Sequence, residues 1–201
     1  MDLKTTNFDV TTEQIHLEQT AELPIDFDFT LSDYEDDVKK VLNCEIVPYI
    51  TSKQINGNSL TVEGEITIKV IYSSPNGDIL CTEQQTTFKK NFDGTKNFDK
   101  GHSNLLLTPI LHSCRAVTDR KISIRSSLKI EAKVIVIEKN QIISDIDCDC
   151  FEQLKGEAFV TTPLGETQKA IIIDEEINLP QNLPGVKRIL RTNFSLISFR
   201  L

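Results

Sequence analysis

Alternation of apolar and polar residues runs through most of the chain. Val62, Ile66, Ile68, Val70 and Tyr72 share one parity, and Glu63, Glu65, Thr67 and Lys69 take the other. A period of two is that of a strand with one buried face. The same holds for Ile122, Ile124, Leu128, Ile130, Ala132, Val134 and Val136 against Lys121, Ser123, Arg125, Ser127, Lys129, Glu131 and Lys133. This second run predicts the longest strand, bent near Ser126–Ser127. "KNQ" (Lys139–Gln141) should then turn it back into a new strand, "IISDIDCDCFEQ". "NGN" at Asn56–Asn58 and "SPNGD" at Ser74–Asp78 are hairpin and turn signals between alternating runs.

One stretch has the helical period instead. In "SDYEDDVKKVL", Ser32 is a suitable N-cap and Glu35 completes a capping box. Acids fill its first turn, Lys39 and Lys40 its last, and Val38, Val41 and Leu42 form an apolar stripe. Residues 1–21 are polar and weakly patterned, an arm or edge strand. The expected fold is mainly β: an antiparallel β-sandwich or two small β-lobes, with one short N-terminal helix and a similar one near the C-terminus. The expected organisation is an arm at 1–21, a first β module at 22–92, and a loop at 93–104. A second β module at 105–177 and a helix-strand segment at 178–201 follow.

Composition agrees with sheet, since Thr, Ile and Val are plentiful and Trp is absent. The net charge of −8 argues against a nucleic-acid partner, which requires a basic stripe. No run approaches the length of a membrane span, and "MDLKTTNFDV" lacks the basic flank and apolar core of a secretory signal. Synthesis in the cytosol is the expectation. Charge is also segregated. Seven carboxylates and no base lie between Glu22 and Asp37, among them Asp33, Glu35, Asp36 and Asp37. Four bases and no acid (Lys187, Arg188, Arg191, Arg200) lie between Leu183 and Leu201. These are either two solvated faces or complementary patches that steer copies of the chain together head to tail.

Catalytic chemistry finds little support. His16, His102 and His112 are scattered, and no nucleophile elbow, phosphate-binding glycine loop or zinc-protease motif occurs. Asp145, Asp147 and Asp149 mimic the start of a calcium loop, but Cys150 stands where Gly is required and Gly156 where Glu is required. Zinc held by His112, Cys114, Cys148 and Cys150 is an open alternative, although such ligands usually flank tight turns. No catalytic residue and no cofactor is expected. The five cysteines, Cys44, Cys81, Cys114, Cys148 and Cys150, are either small core residues or partners in disulfides within or between chains.

A repeat then links the two ends. "TLSDYEDDVKKVLNCEI" (Thr30–Ile46) aligns without gaps on "NLPQNLPGVKRILRTNF" (Asn178–Phe194). Leu31, Val38, Lys39 and Leu42 recur as Leu179, Val186, Lys187 and Leu190. With "ITSKQINGNSLTVEGEITIKVIY", "FKK" at Phe88–Lys90, and "CRAVTDRKISIRSSLKIEAKVIV", this order resembles the SPOCS-domain family of spore coat and exosporium proteins from spore-forming anaerobes. The resemblance covers about residues 22–192.

The resemblance implies a non-enzymatic role on the spore, with synthesis in the mother-cell cytoplasm and deposition in coat or exosporium. Some relatives place a peptidoglycan-binding LysM domain after their SPOCS modules. None follows here, which makes self-assembly the leading expectation. The partner would be a second copy, and possible further partners are other coat proteins; neither nucleic acid nor membrane is expected. The expected interface joins Asp33, Glu35, Asp36 and Asp37 to Lys187, Arg188, Arg191, Phe194, Leu196, Phe199 and Arg200 of a neighbour, locked by cysteines after mother-cell lysis. The alternative is an adaptor that binds another coat morphogenetic protein without polymerising.

Overall fold

The computed structural model describes residues 4–147 and, beyond them, 156–157, 159, 172, 174–176, 178, 180, 182, 185–186 and 188–192. Six strands follow one another: β1 (Lys4–Thr30), β2 (Lys40–Asn56), β3 (Ser59–Ser73), β4 (Ile79–Asp93), β5 (His102–Ala116) and β6 (Lys121–Asp147). They form two antiparallel three-stranded sheets, β1-β6-β5 and β2-β3-β4.

The two strongly alternating runs are the central strands. On β3 the side chains of Leu60, Val62, Ile66, Ile68, Val70 and Tyr72 are buried, and on β6 those of Ile122, Ile124, Leu128, Ile130, Ala132 and Val134. These faces meet in one core, closed by Leu17, Ile25 and Phe29 of β1 and by Phe98 of the connecting loop. A central strand is flanked by a neighbour on both sides, so its apolar face is the most fully withdrawn from water.

The β2–β3 hairpin turns on Gly57, whose φ of 63° suits the first position of a two-residue loop with a single left-handed residue. Its backbone also anchors the 94–101 loop: Phe98 N–H donates to Gly57 O at 2.8 Å, and Gly94 N–H to Asn58 O at 2.7 Å. Gly64 on β3 lies under the Phe88 ring of the facing β4 residue and against the Tyr49 carbonyl. A Cβ there would overlap both, so only glycine fits beneath that ring.

Three expectations require correction. Residues 32–42 are not a helix but a turn and an extended lead into β2. Half of the capping box forms: Glu35 accepts from Ser32 N–H at 2.8 Å, while Glu35 N–H donates to the Ser32 backbone carbonyl, at 2.8 Å, as in a turn. The next helical bond does not, because Lys39 N–H donates to Ser73 O and Glu35 O accepts from Arg120. Tertiary partners therefore override the local propensity. Second, "KNQ" is no turn: β6 continues through it to Asp147, with Asn140 opposite Val10 and its side chain donating to Thr12 Oγ1. Third, no division falls at residue 21. β1 runs unbroken from Lys4 to Thr30 and gives β6 a partner of equal length. The helix expected near the C-terminus lies in a segment of which only scattered residues are described, and those are not helical.

β5 accompanies β6 only from Ile122 to Ile135. Past that point, among the described residues, β1 and β6 pair with each other alone, and Phe8, Ile137, Ile142 and Ile143 are exposed on them. At the other margin of each sheet, β2 packs along β5, where Lys53 Nζ donates to Ser103 O at 3.3 Å.

Candidate functional site

The acidic segment between β1 and β2 is wrapped around one guanidinium. Arg120, in the β5–β6 turn, donates from Nη1 to Glu35 O at 2.9 Å and to Asp37 Oδ1 at 3.0 Å. From Nη2 it donates to Ser32 O at 2.7 Å and to Leu31 O at 3.2 Å. Backbone bonds from Leu31 N–H to Arg120 O and from Val38 N–H to Asp119 O pin the two ends of the loop to the same turn. The planar fork of Arg suits several carbonyls at once, as an ammonium would not. Val38 is buried beneath the loop, and Tyr72 O–H reaches Asp36 O at 3.2 Å. Burial, then the charges of Glu35 and Asp36, pushes the Tyr72 hydroxyl above its usual range, so it remains a donor.

Asp26 and Asp28 of the acidic leader are paired along the β1–β6 ladder. Arg125 lies 2.9 Å from Asp28 and 3.7 Å from Asp26, and Lys121 lies 3.8 Å from Asp28. Hydrogen bonds from Ser123 and then Arg125 hold the Asp28 carboxyl below the usual carboxylate range. Sequence inspection missed Arg120, Lys121 and Arg125 as partners of these acids. The signal was present, since "DFDF" faces "KISIR" once the two strands are aligned antiparallel.

Asp33 and Asp36 remain exposed at the tip of the loop, with Glu35 and Asp37 half-buried. Beside them is a cavity of about 440 Å³, lined by Tyr34, Glu35, Asp36, Cys81, Glu83 and Arg188 among others. Arg188 Nη2 donates to Cys81 O at 3.5 Å, and Arg191 pairs with Glu45 of β2 at 3.0 Å. Two of the C-terminal bases thus contact the β2-β3-β4 sheet within one chain, Arg188 from the cavity beside the acidic loop. Val186, the counterpart of buried Val38, is exposed, as is Ile189. Lys187, Phe194, Leu196, Phe199 and Arg200 lie outside the described residues.

Cys44, Cys81 and Cys114 are free thiols, each half-buried; Cys148 and Cys150 lie outside the described residues. Cys81 is on β4, and its thiol donates weakly to Thr82 O. Cys44 on β2 and Cys114 on β5 approach each other across the packed margins of the two sheets, and each shifts the other's titration. His112 is turned to Ser127 Oγ at 3.2 Å, and the His16 ring, almost fully buried, bridges Asn97 O and Glu138. Among the described residues, no group of three or more His, Cys, Asp or Glu side chains is arranged to hold a metal ion. Nor is any described helix long and apolar enough to cross a membrane.

Residues 37–105 match the family model described as SipL, SPOCS domain. No curated protein and no solved structure is matched by the chain. The matched stretch runs from the end of the acidic loop through β2, β3 and β4 into the first residues of β5. It therefore includes one whole sheet and the Phe98 loop that plugs the core.

Proposed function

We propose that the chain, whose residues 37–105 match the SPOCS-domain family model, is a sporulation-related structural protein of the spore surface which builds an ordered layer or filament from copies of itself. Its place is the coat or exosporium, and its role is mechanical rather than catalytic. The observation that carries this reading is the contact of the basic repeat with the β2-β3-β4 sheet beside the acidic loop. Arg188 and Arg191 reach Cys81 O, Glu45 and the Glu35–Asp36 cavity, while the adjacent Val186 and Ile189 stay exposed.

A contact made within one chain is available, unchanged, between two chains. Exchange of an identical element between protomers costs little, because the bonds broken are the bonds formed. If the segment after Pro180 leaves its own acidic cavity for that of a neighbour, each chain gives one contact and receives one. Such a head-to-tail interface propagates when it does not close. The β1–β6 pair supports the same reading. Phe8, Ile137, Ile142 and Ile143 are exposed on it, and a two-stranded pair with such a face gains from a further partner.

Removal of Gln181–Leu201 should leave a folded, soluble monomer by analytical ultracentrifugation. Ordered assemblies of the shortened chain would refute the tail-exchange mechanism. A full-length chain that stays dispersed, yet binds a second coat protein, would favour an adaptor instead.

A further inference from the structure

Two of the three described cysteines meet where the sheets meet. Cys44 lies on β2 and Cys114 on β5, the strands that pack side by side between the sheets. Farther along the same seam Lys53 of β2 reaches Ser103 O of β5. Each strand has a register irregularity just before its cysteine, between Val41 and Asn43 on β2 and between Leu111 and Ser113 on β5. Bulges bend a strand edge and re-aim the side chains that follow. Here both bend at the same end of the seam. The two thiols are half-buried, pack against the same core and perturb each other's titration.

We propose that Cys44 and Cys114 form a dithiol site which low-molecular-weight disulfides convert into a disulfide joining the two sheets. This chemistry concerns one chain alone and is independent of self-assembly. Cys81 does not compete. It sits on β4, two strands from β2 and on the opposite parity from the β4 residue in line with Cys44. Two strand spacings are about 10 Å, beyond the ~7 Å that a disulfide can span between Cα atoms.

The contact between the thiols holds Cys114 below the usual thiol range, while the same contact and burial push Cys44 up. With the Cys114 thiolate as the nucleophile, the product is the same as when Cys44 attacks first. Cys114 attacks one sulfur of the oxidant, whose S–S bond breaks and releases one small thiolate. Cys44 then attacks the Cys114 sulfur of the mixed disulfide as its proton leaves. The Cys44–Cys114 bond forms and the second small thiolate departs. Two electrons pass to the oxidant, and the two cysteine protons end on the two released thiols. The bond closes a loop of about 70 residues, long enough for cross-linking to restrict the unfolded chain substantially.

The test treats the full chain with oxidised glutathione, alkylates the remaining thiols and maps the peptides without reduction. The expected product links the Cys44 and Cys114 peptides within one chain. It should melt roughly 5–15 °C above the same chain after dithiothreitol. Cys81→Ser should behave as the parent does, and Cys44→Ser or Cys114→Ser should lose both the link and the shift. Recovery of Cys44 and Cys114 as alkylated thiols, or their linkage to any other cysteine or chain, would overturn the proposal. Because the mapping is made on the unmodified sequence, it remains decisive even where a variant fails to fold.

Discussion

Replacing Arg120 by Ala should lower the melting temperature by roughly 5–10 °C and release the loop between β1 and β2. The side chain is about one-third exposed, and its four hydrogen bonds go to three backbone carbonyls and one carboxylate. Without it, Leu31 O, Ser32 O and Glu35 O lose their charged donor, and Asp33, Asp36 and Asp37 repel one another with no cation between them. Val38 is held over the core by the same loop, so part of the loss is apolar burial. Lysine should recover little of it, because a single ammonium cannot serve carbonyls on both sides of the loop. Hydrogen exchange separates loss of this clasp from a general weakening: the Val38 and Lys39 amides should exchange faster while those of β3 keep their order of protection. Equal acceleration throughout would contradict the clasp.

The second large effect is expected at the Arg191–Glu45 pair. Arg191→Glu and Glu45→Lys each replace an attraction by a repulsion, and each should raise the concentration at which assemblies form by about 10-fold or more. The double variant in one chain should assemble as the parent does. Mixing the two single variants separates exchange between chains from a contact that stays within one. If tails exchange, the acidic tail of one variant fits the basic acceptor of the other. Its partner's unaltered Arg191 then meets an unaltered Glu45, and the mixture assembles by light scattering at parental concentrations. If the contact stays within a chain, the mixture behaves no better than either component.

The central strands were legible because nothing competes with their pattern. Val62–Tyr72 and Ile122–Val136 alternate for longer than any turn signal interrupts, and both faces are assigned by parity alone. The helix at 32–42 was misread for the opposite reason. Its local signals are genuine, and the Ser32–Glu35 bonds form, but Ser73 and Arg120 supply better partners from distant parts of the chain. No local pattern reports a guanidinium some 85 residues away. The length of β6 was hidden similarly, since "KNQ" is a turn only where no facing strand exists, and β1 provides one. At the candidate site, segregation of charge was visible. Its use was only half visible, because Arg120 and Arg125 neutralise much of the acidic segment before any tail arrives. The cysteines were individually conspicuous, yet the Cys44–Cys114 pairing depends on how two sheet margins pack, which composition and spacing do not encode.

Self-assembly is most directly tested by electron microscopy of the purified full-length chain across a range of protein concentrations, with no other protein present. Ordered filaments or sheets with a regular repeat are expected above a threshold concentration. Dispersed single particles at every concentration would contradict self-assembly.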